Sequence, residues 1–196
     1  MSIARVKASS ITQGLPKQKT LLAGNSTILP GSYESIATVT LGSSQSTISF
    51  TSIPSTYSHL QIRAIGRMSN AATLDSCWAQ FNADTTSTNY YAHGLYGTGA
   101  ATGAYADAGA FAQIGILSAS GAAANMFGGF VMDILDYSNS NKYKTTRTLS
   151  GADLNGDGQL RFVSGLWKNT NAITSIDIKG NSNFLTNSSF ALYGIK

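Results

Sequence analysis

An alternating set of oxygen ligands in residues 153–158 suggests calcium chemistry. The ligands would be Asp153, Asn155 and Asp157. Calcium loops also need a sharp turn, which Gly158 would supply, and a bidentate Glu at the twelfth position. Here the twelfth position is Ser164, and Arg161 brings a positive charge close to the ligands. Since Asp-Gly between two strands is typical of a hairpin, we expect a hairpin loop without a metal or other cofactor, with calcium as the alternative.

Hydrolytic chemistry would require histidine or paired carboxylates. His59 and His93 are the two histidines, and Asp84 precedes His93, but the sequence contains no G-x-S-x-G nucleophile motif. Asp133 and Asp136 could form a glycosidase pair. A turn that pairs these carboxylates with Lys142, Lys144 or Arg147 is the interpretation that we favour. We therefore expect no catalytic residues, and a protein that is not an enzyme.

Four aromatic residues around a Gly- and Ala-rich stretch could bind a sugar or a protein. They are Trp78, Tyr90, Tyr91 and Tyr96. Exposed aromatic rings stack on sugars, which suits recognition of a host-surface glycan. The same residue types are common in subunit interfaces and in β-sandwich cores. The sequence predicts a core or interface role, with glycan binding as the alternative.

The composition and the charge distribution disfavour a nucleic-acid-binding protein and a membrane-spanning protein. Charged residues make up 11% of the 196 residues, and Ser, Thr, Asn and Gly are abundant. Four of the 13 basic residues lie in residues 1–32 with no acidic residue, whereas the other nine match the nine acidic residues. A neutral body disfavours specific nucleic-acid binding. No apolar run reaches the roughly 18 residues of a membrane span.

The cysteine content and the N-terminal residues indicate in which cellular compartment the protein is made. Cys77 is the single cysteine, so no intrachain disulfide can form. The N-terminal sequence lacks the apolar core of a signal peptide. We expect a product that is made and kept in a cytoplasm, or that leaves by another route such as lysis.

Short alternating segments separated by Gly, Asn and Ser turns predict about ten or eleven strands. The clearest are 33–40, 46–50, 59–67, 75–82, 89–96, 111–117, 127–135, 143–149, 160–167, 173–178 and 190–195. The Ala-rich segments 99–112 and 118–124 are expected to be loops, because their glycine content disfavours a helix. The sequence predicts an all-β fold over residues 33–196, an antiparallel β-sandwich of jelly-roll type.

Residues 1–32 predict an extended arm. Proline and glycine interrupt it every few residues, and its apolar residues follow no sustained period. We expect it to dock on a partner surface; the alternative is that it folds back along its own domain. The expected docking residues are Arg5, Lys7, Ile11, Leu15, Lys17, Lys19 and Leu22.

Five segments carry a resemblance to known proteins: residues 14–25, 33–40, 48–63, 133–145 and 165–196. They resemble a group of virion proteins of tailed bacteriophages that is frequent among phages of aquatic bacteria, including cyanobacteria. The resemblance implies a β-sandwich component of the virion, variously a tail fibre, head fibre or head decoration protein, assembled in the host cytoplasm. It also implies a homotrimer that contacts other capsid or tail proteins. The alternative is a host-receptor or glycan-binding module of a tail fibre.

Overall fold

The computed structural model describes residues 32–196, which form one compact unit. This part of the chain contains twelve β-strands and no helix, which confirms the all-β prediction. It therefore contains no helix that is long and apolar enough to cross a membrane. The strands are β1 (Tyr33–Thr40), β2 (Gln45–Phe50), β3 (His59–Met68), β4 (Leu74–Phe81), β5 (Tyr90–Gly97), β6 (Thr102–Gly109), β7 (Ala112–Ala119), β8 (Gly128–Leu135), β9 (Lys144–Asp153), β10 (Gly158–Trp167), β11 (Ile176–Phe184) and β12 (Ser189–Ile195).

Backbone hydrogen bonds join the strands into two arrays. The long array has the order β1-β12-β3-β8-β9-β10-β5-β6, and the short array has the order β2-β11-β4-β7. Pairing is antiparallel within both arrays. The end of β3 links them, because Met68 pairs with Ala119 of β7 and with Phe184 of β11.

The core contains residues from both arrays. Buried, mainly apolar residues alternate with more exposed positions along β12 and β8, as expected of strands with one face on a core. Aromatic contacts cross from one array to the other. Phe184 of β11 meets Phe190 of β12 edge-on at 5.0 Å between ring centroids, and Phe81 of β4 meets Trp167 of β10 at 5.6 Å. These edge-on contacts are a favoured aromatic geometry and tie the arrays together.

The backbone of β7 comes unusually close to β9 where the two strands lie against each other. Gly115 has φ of +136°, and a Cβ added there would lie 1.9 Å from Ser150 Oγ. The neighbouring Ile116 N–H donates a hydrogen bond to the same hydroxyl at 3.3 Å. The space between these strands therefore accepts only small side chains.

Two cations hold loops of the body. The guanidinium of Arg67 donates to the carbonyls of residues 120, 122, 123 and 126 in the β7–β8 connection. Lys144 is fully buried, and its amine donates to carbonyls of residues 139, 142 and 170. Both side chains satisfy carbonyls that the strands leave unpaired.

The structure corrects the loop prediction for residues 99–112, because β6 forms there. The Ala- and Gly-rich sequence is compatible with a strand because tyrosine rings cover the glycines of the neighbouring strand. Gly94 lies opposite Tyr105, and Gly103 lies opposite Tyr96. In each pair the ring occupies the position where a Cβ of the glycine would stand. Such cross-strand aromatic cover stabilises glycine-containing strands.

Candidate functional site

Six large apolar side chains project from the outer surface of the long array, where they are 38–59% exposed. They come from β3, β5, β8, β9 and β10. We call them the apolar face: Ile65, Leu95, Val131, Leu149, Leu160 and Phe162. Soluble proteins rarely gather this many large apolar side chains on one exposed surface without a function for it.

The register of the strands arranges the apolar face in two rows. In the first row Val131, Leu149, Phe162 and Leu95 lie directly opposite one another on successive strands. We call this row the ridge. In the second row Gly129 pairs with Gly151, between Ile65 and Leu160. The glycines leave an open groove of about 1020 Å³, lined mainly by apolar surface.

The inner side of β9 is polar, unlike that of an ordinary half-exposed strand. Thr146, Thr148 and Ser150 are buried on the inner side, whereas Leu149 points outward together with the charged Arg147 and Asp153. Within the described residues the Thr146 and Thr148 hydroxyls have no hydrogen-bond partner. The close approach of β7 explains the small inner residues. Sheets with one wet face normally place apolar residues inward and polar residues outward, and the exposed Leu149 departs from that pattern.

The β9–β10 loop lies at one end of the groove. Asp153 pairs with Gly158 across an antiparallel hairpin, as predicted. The carboxylate of Asp153 accepts the Asn155 N–H at 3.0 Å, and that of Asp157 accepts the Gly158 N–H at 2.7 Å. These carboxylates support the turn of their own loop. No group of three or more His, Cys, Asp or Glu residues within residues 32–196 is placed to hold a metal ion.

The four aromatic residues predicted as a possible binding cluster lie in different surroundings. Trp78 stacks on Phe111 at 5.3 Å between ring centroids. Tyr90 is buried in the core, where burial raises its pKa and its hydroxyl accepts the Phe81 N–H at 3.1 Å. Tyr91 is exposed, whereas the ring of Tyr96 covers Gly103. Tyr90 therefore belongs to the core rather than to a binding surface.

The histidine and carboxylate candidates are engaged in local contacts. His59 Nδ1 accepts the Asp136 N–H at 2.9 Å. Asp136 pairs with Lys142 at 2.5 Å, which confirms the predicted turn pairing and, through that hydrogen bond, lowers the pKa of Asp136. Asp133 instead lies within β8 and accepts from the Gln61 amide at 2.7 Å. The predicted turn pairing with a basic residue is therefore confirmed for Asp136 and wrong for Asp133.

Asp84 has the most strongly lowered carboxyl pKa among the described residues. Its partial burial acts to raise the pKa, but hydrogen bonds outweigh burial and lower it to about 2. The donors are the side chain of Asn89, the backbone of Thr86 and the indole N–H of Trp167. The carboxylate therefore anchors the β4–β5 connection to β10, and it is not oriented as a partner of His93 by any hydrogen bond of the structure.

The predicted docking residues of the arm lie outside the described residues. They are Arg5, Lys7, Ile11, Leu15, Lys17, Lys19 and Leu22. The apolar face, in contrast, was not predicted. The signal for it in the sequence is that Leu149, Leu160 and Phe162 alternate with mainly polar neighbours. This alternation indicates a strand, but it does not indicate which side of the strand faces the core.

Comparison of this chain with models of protein families, with curated proteins and with solved structures finds no match.

Proposed function

We propose that this chain is a non-enzymatic structural component of a bacteriophage virion. The observation that carries the proposal is the strand order. When β5, β6, β9 and β10 are set aside, the remaining eight strands have the orders β1-β12-β3-β8 and β2-β11-β4-β7. Two interlocked Greek keys give this order in a jelly-roll sandwich. The four other strands then extend one of its sheets.

The jelly roll supports a virion role because it is a common architecture of viral capsid domains. Lectins and cupins share it, so the choice among them depends on the surface. The body has balanced charge, whereas the basic excess lies in residues 1–32. The apolar face suits contact with other protein subunits. These features, together with the sequence resemblance, favour a decoration, cement or fibre protein.

In this proposal the arm anchors the body to the capsid or tail. Its apolar residues contribute burial, and its four basic residues speed encounter with an acidic surface. A single short arm binds weakly because ordering its backbone costs about 1–2 kcal/mol per residue. Several arms on one homotrimer bind far more tightly through their effective concentration.

A host-receptor or glycan-binding module of a fibre is the second candidate. The open groove favours it, because a groove of about 1020 Å³ is large enough for a small ligand. The aliphatic walls of the groove disfavour glycan binding, since sugar sites usually present exposed aromatic rings. A glycan array with the full chain separates the two roles: a specific glycan hit supports the module, and its absence leaves the structural role.

The arm provides the direct test of the proposal. Deleting residues 1–30 is expected to leave a folded body that no longer incorporates into particles. Replacing Arg5, Lys7, Lys17 and Lys19 with Ser is expected to weaken incorporation less, and mostly at low salt, where charge attraction is least screened. Wild-type occupancy of the truncated protein in purified particles would contradict arm docking. Unfolding of the truncated protein, measured by circular dichroism, would instead show that the arm folds back on its own body.

A further inference from the structure

We propose that the apolar face is the surface through which copies of this chain associate, with the ridge of one copy packed into the groove of another. The proposal does not rest on the virion role, because it follows from the outer surface of residues 32–196 alone.

The size of the apolar face is the first reason. Six side chains that are 38–59% exposed present roughly 600 Å² of apolar surface, the upper limit for the largest patch of a typical monomer. A stable interface buries about 800 Å² on each partner. On the β6 side the flanking residues Thr102 and Ala104 are also exposed and uncharged, whereas Arg63 and the opposed pair Asp133 and Arg147 flank the face elsewhere. The face and its β6 margin therefore approach the area that one protein partner would cover.

The shape of the face is the second reason, and it identifies the partner. The ridge crosses β8, β9, β10 and β5, and the lining of the groove extends beside it from Ile65 of β3 across β8, β9 and β10 to Gly97 at the end of β5. Four strands span about 14 Å, so the groove extends over at least the length of the ridge. The ridge residues, Gly129 and Gly151 carry no charge, but Arg63, Asp153 and Asp157 also line the groove. A partner therefore meets charges of both signs there, and another copy of this chain carries both. Another copy of this chain supplies both the ridge and the groove, and such contacts can close into a symmetric oligomer.

The free edge of the long array is the third reason. β6 is an eight-residue edge strand whose outward residues Ala104, Ala106 and Ala108 are exposed. Its one charged residue is Asp107, and that carboxylate accepts a hydrogen bond from Gln113. Natural edge strands are usually protected by lysine, proline or a bulge. Ala104 lies opposite Leu95 and prolongs the ridge row to this edge, so a neighbouring copy on the ridge would also shield β6.

The test is the oligomeric state of the full chain. We would measure sedimentation velocity from about 1 to 100 μM, the range in which weak to moderate interfaces dissociate. The face variant combines Leu149→Thr, Leu160→Thr and Phe162→Thr, which keep strand propensity and alter exposed side chains. The control is Tyr143→Thr, since Tyr143 is 47% exposed but lies in the β8–β9 connection, outside the face.

We expect the wild type and the control to form the same oligomer of 20.5 kDa subunits. The face variant is expected to dissociate about 100-fold more readily, as loss of three buried apolar contacts predicts. A wild type that is monomeric at the highest concentration would overturn the proposal. An unchanged oligomer in a folded face variant, checked by circular dichroism, would overturn it as well.

A second variant fills the groove without altering the ridge. Gly97 lies opposite Leu160 and lines the groove on the β5 side of that residue, and no atom lies within 4 Å of a Cβ added at Gly97. Gly97→Val should therefore leave the fold intact and obstruct the incoming ridge. We expect at least a roughly tenfold loss of association, typical of a steric obstruction at a packed contact. If the face variant fails to fold, this variant decides the matter, and wild-type association of Gly97→Val refutes insertion of the ridge into the groove.

Discussion

Replacement of Lys144 by Met tests how the loops of the body are held. The amine of Lys144 is buried and donates to the carbonyls of Asn139 at 2.6 Å, Lys142 at 3.0 Å and Thr170 at 3.0 Å. It thereby joins the β8–β9 connection to the β10–β11 connection. Met has a similar length and keeps the apolar stem in place, but it cannot donate a hydrogen bond.

The expected loss of stability follows from the three carbonyls. Each buried acceptor left without a partner costs about 1–3 kcal/mol. Removing the buried ammonium recovers part of this cost, because its own desolvation penalty disappears, and water can reach part of the loops. We expect a net decrease of about 3–5 kcal/mol in the free energy of unfolding, against a total of about 5–15 kcal/mol for most domains.

Urea denaturation followed by tryptophan fluorescence measures this change. Lys142→Met is the matched control, because the Lys142 side chain is 55% exposed and pairs with Asp136 at the surface. An exposed pair contributes about 0–1 kcal/mol, so the control should remain close to the wild type. A Lys144→Met protein that differs from the control by less than about 1 kcal/mol would refute the role assigned to the buried amine.

Three further predictions concern Asp84, Arg67 and Cys77. The pKa of Asp84 is lowered to about 2 in the folded state. The stability that this carboxylate contributes to the folded protein is therefore present above the pKa of Asp84 in the unfolded state, and it is lost as pH falls from about 4 toward 2. Asp84→Asn should lower the free energy of unfolding by about 1–2 kcal/mol at pH 7, after allowance for the partial exposure of the carboxylate. It should also make that free energy less dependent on pH below about pH 4. Urea titrations in which the variant loses as much stability with acid as the wild type would contradict this. Arg67→Lys cannot satisfy the four carbonyls of the β7–β8 connection, so amides of residues 120–126 should exchange about tenfold faster or more by hydrogen-exchange mass spectrometry, with β11 unaffected. The buried thiol of Cys77, whose pKa burial raises, should resist a maleimide in the native protein and react in urea; rapid native labelling would disprove its burial.

Much of the fold could be predicted from the sequence because most strands alternate and end at turn residues. Residues 59–67 and 160–167 alternate over their length and become β3 and β10 with nearly the expected bounds. β6 was missed because its alanines and glycines have low strand propensity. Its stability depends on cross-strand cover by Tyr96 and Tyr105, which follows from the register of the β5–β6 pairing and not from the strand propensity of the β6 residues.

The apolar face could not be predicted for a different reason. Strict alternation leaves two choices for the inward side, and the larger apolar residues usually take it. In β9 that choice would bury Leu149 and expose the hydroxyls of Thr148 and Ser150. The close approach of Gly115 to Ser150 reverses it. A tertiary contact between distant strands thus determines which residues meet the solvent, and local pattern carries no trace of it.

Electron cryomicroscopy of phage particles purified from lysates that contain this chain tests the virion proposal most directly. The proposal predicts density for the twelve-stranded body at symmetry-related positions on the head or tail, with residues 1–32 in contact with a capsid or tail protein. Peptide mass spectrometry of the same particles should detect the chain at a stoichiometry that matches the density. Particles without the chain, prepared from lysates that contain it in abundance, would contradict the proposal.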